Sequence, residues 1–141
     1  MALLSWSDKY LIGEETIDRE HKELFRLINE FHTRWSESRQ RTDIARVLNQ
    51  LVRYAQVHFQ HEEAIMEAAK YPRQAEHRLI HVEMFEQIFA LHKDFVENEL
   101  HVIPNTMKFV RNWLVDHIIQ QDYAFRDFLA RRKPSEETVA E

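Results

Sequence analysis

The 141-residue chain contains no cysteine. Disulfides, thiolate metal sites and cysteine nucleophiles are therefore excluded. Glycine occurs once and proline three times, too few for a β-rich fold that marks its many turns with these residues. Long helices joined by few loops are the expectation. No window approaches the roughly 18 consecutive apolar residues of a membrane span. The start, "MALLSWSDKYLIGEE", lacks the basic region and apolar run of a signal peptide. A cytoplasmic protein without a membrane span is expected on these grounds. Positive excess is missing too. A net charge of −5 argues against nucleic acid as a partner, because phosphate binding needs a basic face.

What is present is ordinary in bulk, with 44% hydrophobic and 30% charged residues. The length suits one domain with a real core. Nine histidines are the feature that needs its own explanation.

Apolar spacing predicts four helices. Ile17, His21, Leu24, Ile28, Phe31 and Trp35 recur in steps of four and three, which is one helix face. After the polar "SESRQRTD", Thr42 or Asp43 is suited to cap a second helix, whose stripe is Leu48, Leu51, Ala55, His58, Glu62, Ile65 and Ala69. A third follows "KYP" and shows His77, His81, Met84, Ile88, Leu91 and Phe95. Pro104 opens a fourth through Val110, Leu114, His117, Ile118, Phe125 and Leu129. Arg131, Arg132 and Lys133 suit its C-terminus, and Pro134 is expected to end it. The fold class is therefore all-α, an up-down-up-down four-helix bundle. Residues 1–133 form the one domain, residues 1–16 being an N-terminal arm packed through Trp6, Tyr10 and Leu11, and 134–141 a flexible tail.

The stretch "HFQHEEAIM" (58–66) places charge inside one of these stripes. Each helical residue turns the chain by about 100°, so Glu62 lies only about 40° from His58 and both sit on the apolar seam. His61 and Glu63 are out of step, His61 falling near the bundle edge. An unpartnered buried carboxylate costs several kcal/mol and calls for positive charge. No Lys or Arg falls on a corresponding stripe. Histidine does: His21, His77, His81 and His117. A metal cation uses both residue types as ligands. One HxxxH or HxxxE alone is common by chance. The weight lies in every helix offering a seam histidine beside the carboxylate. Five histidines with carboxylates are too many for one metal, whereas two first-row metals about 3.5 Å apart would use them all. Imidazole-rich, thiolate-free ligation suits iron, copper or zinc, and carboxylate bridging favours iron.

These residues resemble a known family. "IDREHKELF" (17–25), "HFQHEEAIM" (58–66), "YPRQAEHRLIHVEMF" (71–85) and "WLVDHIIQQD" (113–122) are similar in order and spacing to the motifs of the hemerythrins, specifically the single-domain bacterial members. The match covers nearly the whole chain. The resemblance implies two iron ions (Fe2+/Fe3+), bridged by oxide or hydroxide, that bind O2 reversibly. It assigns His77, His81 and His117 to one iron, which is coordinatively full. His21 and His58 go to the other, which keeps an open position, and Glu62 and Asp122 bridge the pair. It also implies an apolar O2 pocket of Phe59, Trp113, Leu114 and Ile118. His32, His61, His92 and His101 match no ligand position and are read as surface or edge residues.

His117 and Asp122 stand five apart, about 140° around an ideal helix. A π-bulge, a bend, or Asp122 reaching in from the edge of the face is the expected remedy. Ferritin-like oxidases use Glu-x-x-His pairs, and no histidine here has a glutamate three residues before it. That favours a carrier over a di-iron oxidase or ferroxidase. An O2-sensing module is the third class, and no signalling domain accompanies the bundle. The expected role is O2 carriage, storage or delivery to an O2-consuming enzyme, by a monomer.

Overall fold

The computed structural model describes residues 4–37, 41–98 and 103–140. Helix α1 spans Glu15–Glu37, α2 Arg41–Ala68, α3 Gln74–Asn98 and α4 Ile103–His117; a π-helical turn, Ile118–Asp122, leads directly into α5, Tyr123–Ala140. Together α4, the π turn and α5 make one continuous fourth rod. Helix α1 packs on α2, α2 on α3, and the fourth rod closes against α1, giving the expected four-helix bundle.

Local chemistry fixes the helix ends. The Glu14 carboxylate accepts the N–H groups of Thr16 and Ile17 at 2.7 and 3.3 Å, satisfying donors that the first turn of α1 cannot pair internally. Thr42 and Asp43 do not cap α2, which already begins at Arg41; they lie in its first turn, where Asp43 complements the positive helix end. At the other end of α2, Lys70 adopts φ +58°. Its N–H bonds Glu67 O, and the Tyr71 N–H bonds Met66 O, both at 3.0 Å. This is the Schellman arrangement, with a left-handed residue where glycine is normally favoured. Lys70→Gly should therefore raise stability by about 0.5–1 kcal/mol, read as an upward shift in thermal midpoint.

The arm packs through two of the three residues expected, Trp6 and Tyr10. Trp6, Tyr10 and Phe25 form an aromatic cluster with centroids 5.0–5.6 Å apart. Leu11, however, is 36% exposed, and Leu4 and Ile12 are buried in its place. Asp18 explains this, because its carboxylate accepts the Ile12 and Gly13 N–H groups at 2.8 and 3.2 Å. That grip turns Ile12 inward and leaves its neighbour outside. The expected stop at Pro134 is also absent, since α5 runs to Ala140. A proline removes one hydrogen bond and crowds the preceding turn, which bends a helix without always ending it.

The core divides into two apolar clusters. The larger includes Leu24, Ile28, Phe31, Leu48, Leu51, Ile88, Val110 and Leu114. The smaller comprises Ile12, Ile17, Met66, Tyr71 and Phe125. Burying each such side chain contributes about 1.5–3 kcal/mol. Between the clusters every rod carries polar buried residues: His21, His58 with Glu62, His77 with His81, and His117 with Asp122. For α3 the smaller cluster is met at Tyr71, in the turn before the helix. A single polar layer thus crosses the bundle between two apolar ones.

Candidate metal centre

All five imidazoles of this layer aim Nε2 inward at the two carboxylates. Glu62 Oε1 lies 2.8 Å from His77 Nε2, 3.0 Å from His81 Nε2 and 3.9 Å from His117 Nε2. Its other oxygen, Oε2, faces His58 Nε2 at 3.4 Å and His21 Nε2 at 3.5 Å. Asp122 divides in the same sense. Its Oδ1 lies 3.1 Å from His77 Nε2 and 3.2 Å from His117 Nε2, whereas Oδ2 lies 3.2 Å from His21 Nε2. Each carboxylate therefore gives one oxygen to each of two histidine groups.

The π turn makes the Asp122 contacts possible. On a regular α-helix Asp122 would point about 140° away from His117. The wider turn, closed by Tyr123 N–H to Ile118 O, fits the extra residue and returns Asp122 to the seam. Of the expected remedies, the π turn is the one found. Deleting Ile119, which is exposed in this turn, leaves His117 and Asp122 four apart and in step on an ordinary α-helix. This variant should fold with a loss of only about 1–2 kcal/mol. Deleting Gln56 from the middle of α2 rotates His58 and Glu62 about 100° from the seam, and should abolish cooperative unfolding followed by circular dichroism.

Burial opposes charge throughout the layer, yet the electrostatics still favour it. Burial alone would lower the His21, His77 and His117 pKa values; Asp122 and Glu62 outweigh it and raise each to about 9. Burial likewise works against ionised Glu62 and Asp122, and the imidazoles more than compensate, holding both well below the usual carboxylate range. Imidazoles and carboxylates thus stabilise one another's charged forms, and a metal cation would take the place of the protons on the imidazoles. Among the described residues no Lys or Arg pairs with Glu62 or Asp122. Several buried atoms also lack a hydrogen-bond partner there: both nitrogens of His21, Glu62 Oε2 and both Asp122 oxygens. Groups of this kind are normally satisfied, and metal cations would satisfy them. The donor atoms fall into two overlapping sets, each within 4.8 Å: Glu62, His77, His81, His117 and Asp122; and His21, His58 and Glu62.

Phe59, Trp113, Leu114 and Ile118 are all buried beside this layer. Phe59 stacks on His81 with centroids 4.0 Å apart and planes 12° apart. The Trp113 indole N–H donates to Met84 O at 3.0 Å, fixing its ring against α3. Val115, absent from the sequence reading, is buried too. His32 and His92 are half-buried, His61 is exposed, and His101 lies outside the described residues.

Two carboxylates escaped the sequence reading. Glu20 accepts the Nδ1–H of His58 at 2.8 Å, and Glu63 accepts that of His81 at 2.8 Å. Helical spacing turned Glu63 outward, yet its side chain is only 20% exposed, because it leans back along α2 to reach α3. The only available signal was adjacency, since Glu20 precedes His21 and Glu63 follows Glu62.

Residues 13–128 match the family described as "Hemerythrin HHE cation binding domain". The chain is 32% identical over 127 residues to Bacteriohemerythrin of Stenotrophomonas maltophilia (strain R551-3), spanning 90% of this chain and 82% of that protein. It is 32% identical over 123 residues to Bacteriohemerythrin of Methylococcus capsulatus, spanning 86% and 93% respectively. A crystal structure of wild-type hemerythrin superimposes with a TM-score of 0.81 at 30% identity, covering 89% of this chain and 97% of that one.

Proposed function

The chain belongs to the hemerythrin family, and from that premise we propose that its centre holds two iron ions and binds O2 reversibly. His77, His81 and His117 would hold one ion, His21 and His58 the other, and Glu62 and Asp122 would bridge them. The observation that carries this reading is the division of both carboxylates, one oxygen toward each histidine group. A bridged pair of cations needs that division, and a single site does not.

Bound iron would supply the electrons with which O2 is held. The protein's own part is to position and to exclude. Phe59, Trp113, Leu114 and Ile118 would wall the O2 pocket with apolar surface, keeping out the water and external protons that end reversible binding. Glu20 and Glu63 hold His58 and His81 by their outer nitrogens, so that Nε2 of each is free to ligate. Histidine-rich donors, with no Glu-x-x-His pair in the sequence, favour a carrier over a turning-over oxidase. We place the activity in residues 1–133 and assign it to O2 storage or delivery to an O2-consuming enzyme. Among the described residues no helix is long and apolar enough to cross a membrane.

Anaerobic reduction, metal analysis and absorption spectra through cycles of air and argon test this. Two irons per chain with a visible band that returns over many cycles is the expected result. A single irreversible oxidation would point to an oxidase, and absence of iron would sink both.

A further inference from the structure

The outer nitrogens of the five rings are held unequally. His58 Nδ1–H donates to Glu20 Oε1 at 2.8 Å, and His61 Nδ1–H donates to Glu20 Oε2 at 2.5 Å. Glu20 therefore has both oxygens engaged. Its side chain is 7% exposed, while that of His61 is 51% exposed. On the other side of the layer Glu63 holds His81 by Oε2 at 2.8 Å. His21 Nδ1 and His117 Nδ1 have no hydrogen-bond partner among the described residues.

We propose that His61, acting through Glu20, is a positioning residue for His58, and that it sets how firmly the protein retains the metal ion of the His21–His58 group. The inference rests on the two-metal reading given above. A glutamate has several rotatable bonds, and one hydrogen bond does not define its pose. Held at both oxygens it becomes a rigid bracket from α1 to α2. The carboxylate only accepts, so each histidine must place its proton on Nδ1, leaving His58 Nε2 as the metal donor. His61 lies three residues after His58, about one helical turn on, which is why one carboxylate spans both rings.

The effect should be selective. With Glu62 and Asp122 shared, the ion of His21 and His58 has four protein donors and the ion of His77, His81 and His117 has five. Loosening one donor in four leaves less behind than loosening one in five. Loss of an outer partner to a ligating histidine typically costs about 10–100-fold in metal affinity.

The test uses the full chain loaded anaerobically with Fe2+ and challenged with a ferrous chelator. Wild type should release both irons slowly. His61→Ala leaves Glu20 on His58 but frees its other oxygen. It should release one of the two up to about 10-fold faster, at the low end of what losing the outer partner itself would do, with the other at the wild-type rate. His61→Gln, whose amide again offers Glu20 a donor, should return close to wild type. Glu20→Ala, which removes the outer partner itself, should release the same ion faster than His61→Ala. A second readout needs no metal: the His58 Nδ1–H resonance in the iron-free protein should exchange with solvent faster in His61→Ala. Equal release from wild type and His61→Ala, equal acceleration of both irons, or no rescue by His61→Gln would each overturn the proposal. Fewer than two irons in wild type would instead overturn the two-metal reading and the retention role with it. The proton-exchange comparison would still decide whether His61 positions His58.

Discussion

Replacing Glu62 with glutamine should strip the protein of both metal ions while leaving the bundle folded. Glutamine fills nearly the same volume, so the polar layer need not collapse. What is lost is the charge and one of the oxygens. Glu62 is wholly buried and is the only residue common to both donor sets. Its Oε1 serves His77 and His81, and its Oε2 faces His21 and His58. Asp122, whose oxygens divide in the same sense, would be left as the sole bridge and could not supply the Glu62 oxygens as well. Because losing merely an outer partner costs about 10–100-fold, losing a shared direct ligand should cost more than about 100-fold at each position. Elemental analysis after gel filtration gives the answer. Glu67→Gln, exposed and five residues along the same helix, is the control and should keep both ions. A Glu62→Gln protein that retains two irons would contradict the bridging assignment.

The inward half of this site was legible because helical period is a strong constraint. A residue in step with Leu51 and Ala55 must share their environment, so His58 and Glu62 had to be buried. The misfit of His117 and Asp122 was equally readable, since five residues do not close a turn of α-helix, and the structure resolves it with a π turn. The outer half was not legible. Glu20 and Glu63 stand on the flanks of their stripes, where period alone leaves a residue between solvent and the neighbouring helix. Which way such a side chain leans depends on the partner rod, here His58 and His81. The end of α2 shows the same limit. Ile65 and Met66 straddle the seam almost equally, and Met66 is the one fully buried. Leu11 and Ile12 were exchanged for a different reason. The arm has no period to read, and its facing is set by the reach of Asp18 to two backbone N–H groups.

Truncating Leu114 should separate its part in the core from its part in the pocket. Leu114 is buried within the larger apolar cluster, which also holds Phe59, Trp113 and Ile118. Leu114→Ala removes buried methyl groups and leaves a cavity, at a cost of about 2–5 kcal/mol. That loss appears as a lower unfolding midpoint in the iron-free protein, independent of any metal chemistry. A cavity walled wholly by apolar groups would stay dry. This one opens three residues from His117, toward a layer with orphaned polar atoms, where a water molecule would find partners. Iron-loaded Leu114→Ala should therefore autoxidise at least about tenfold faster, the equivalent of about 1.4 kcal/mol in the barrier. Leu114→Met, which nearly conserves volume and costs less than about 1.5 kcal/mol, should change both quantities little. A lower midpoint with an unchanged oxidation rate would make Leu114 a core residue alone, and the water barrier would then have to be sought in Phe59, Trp113 and Ile118.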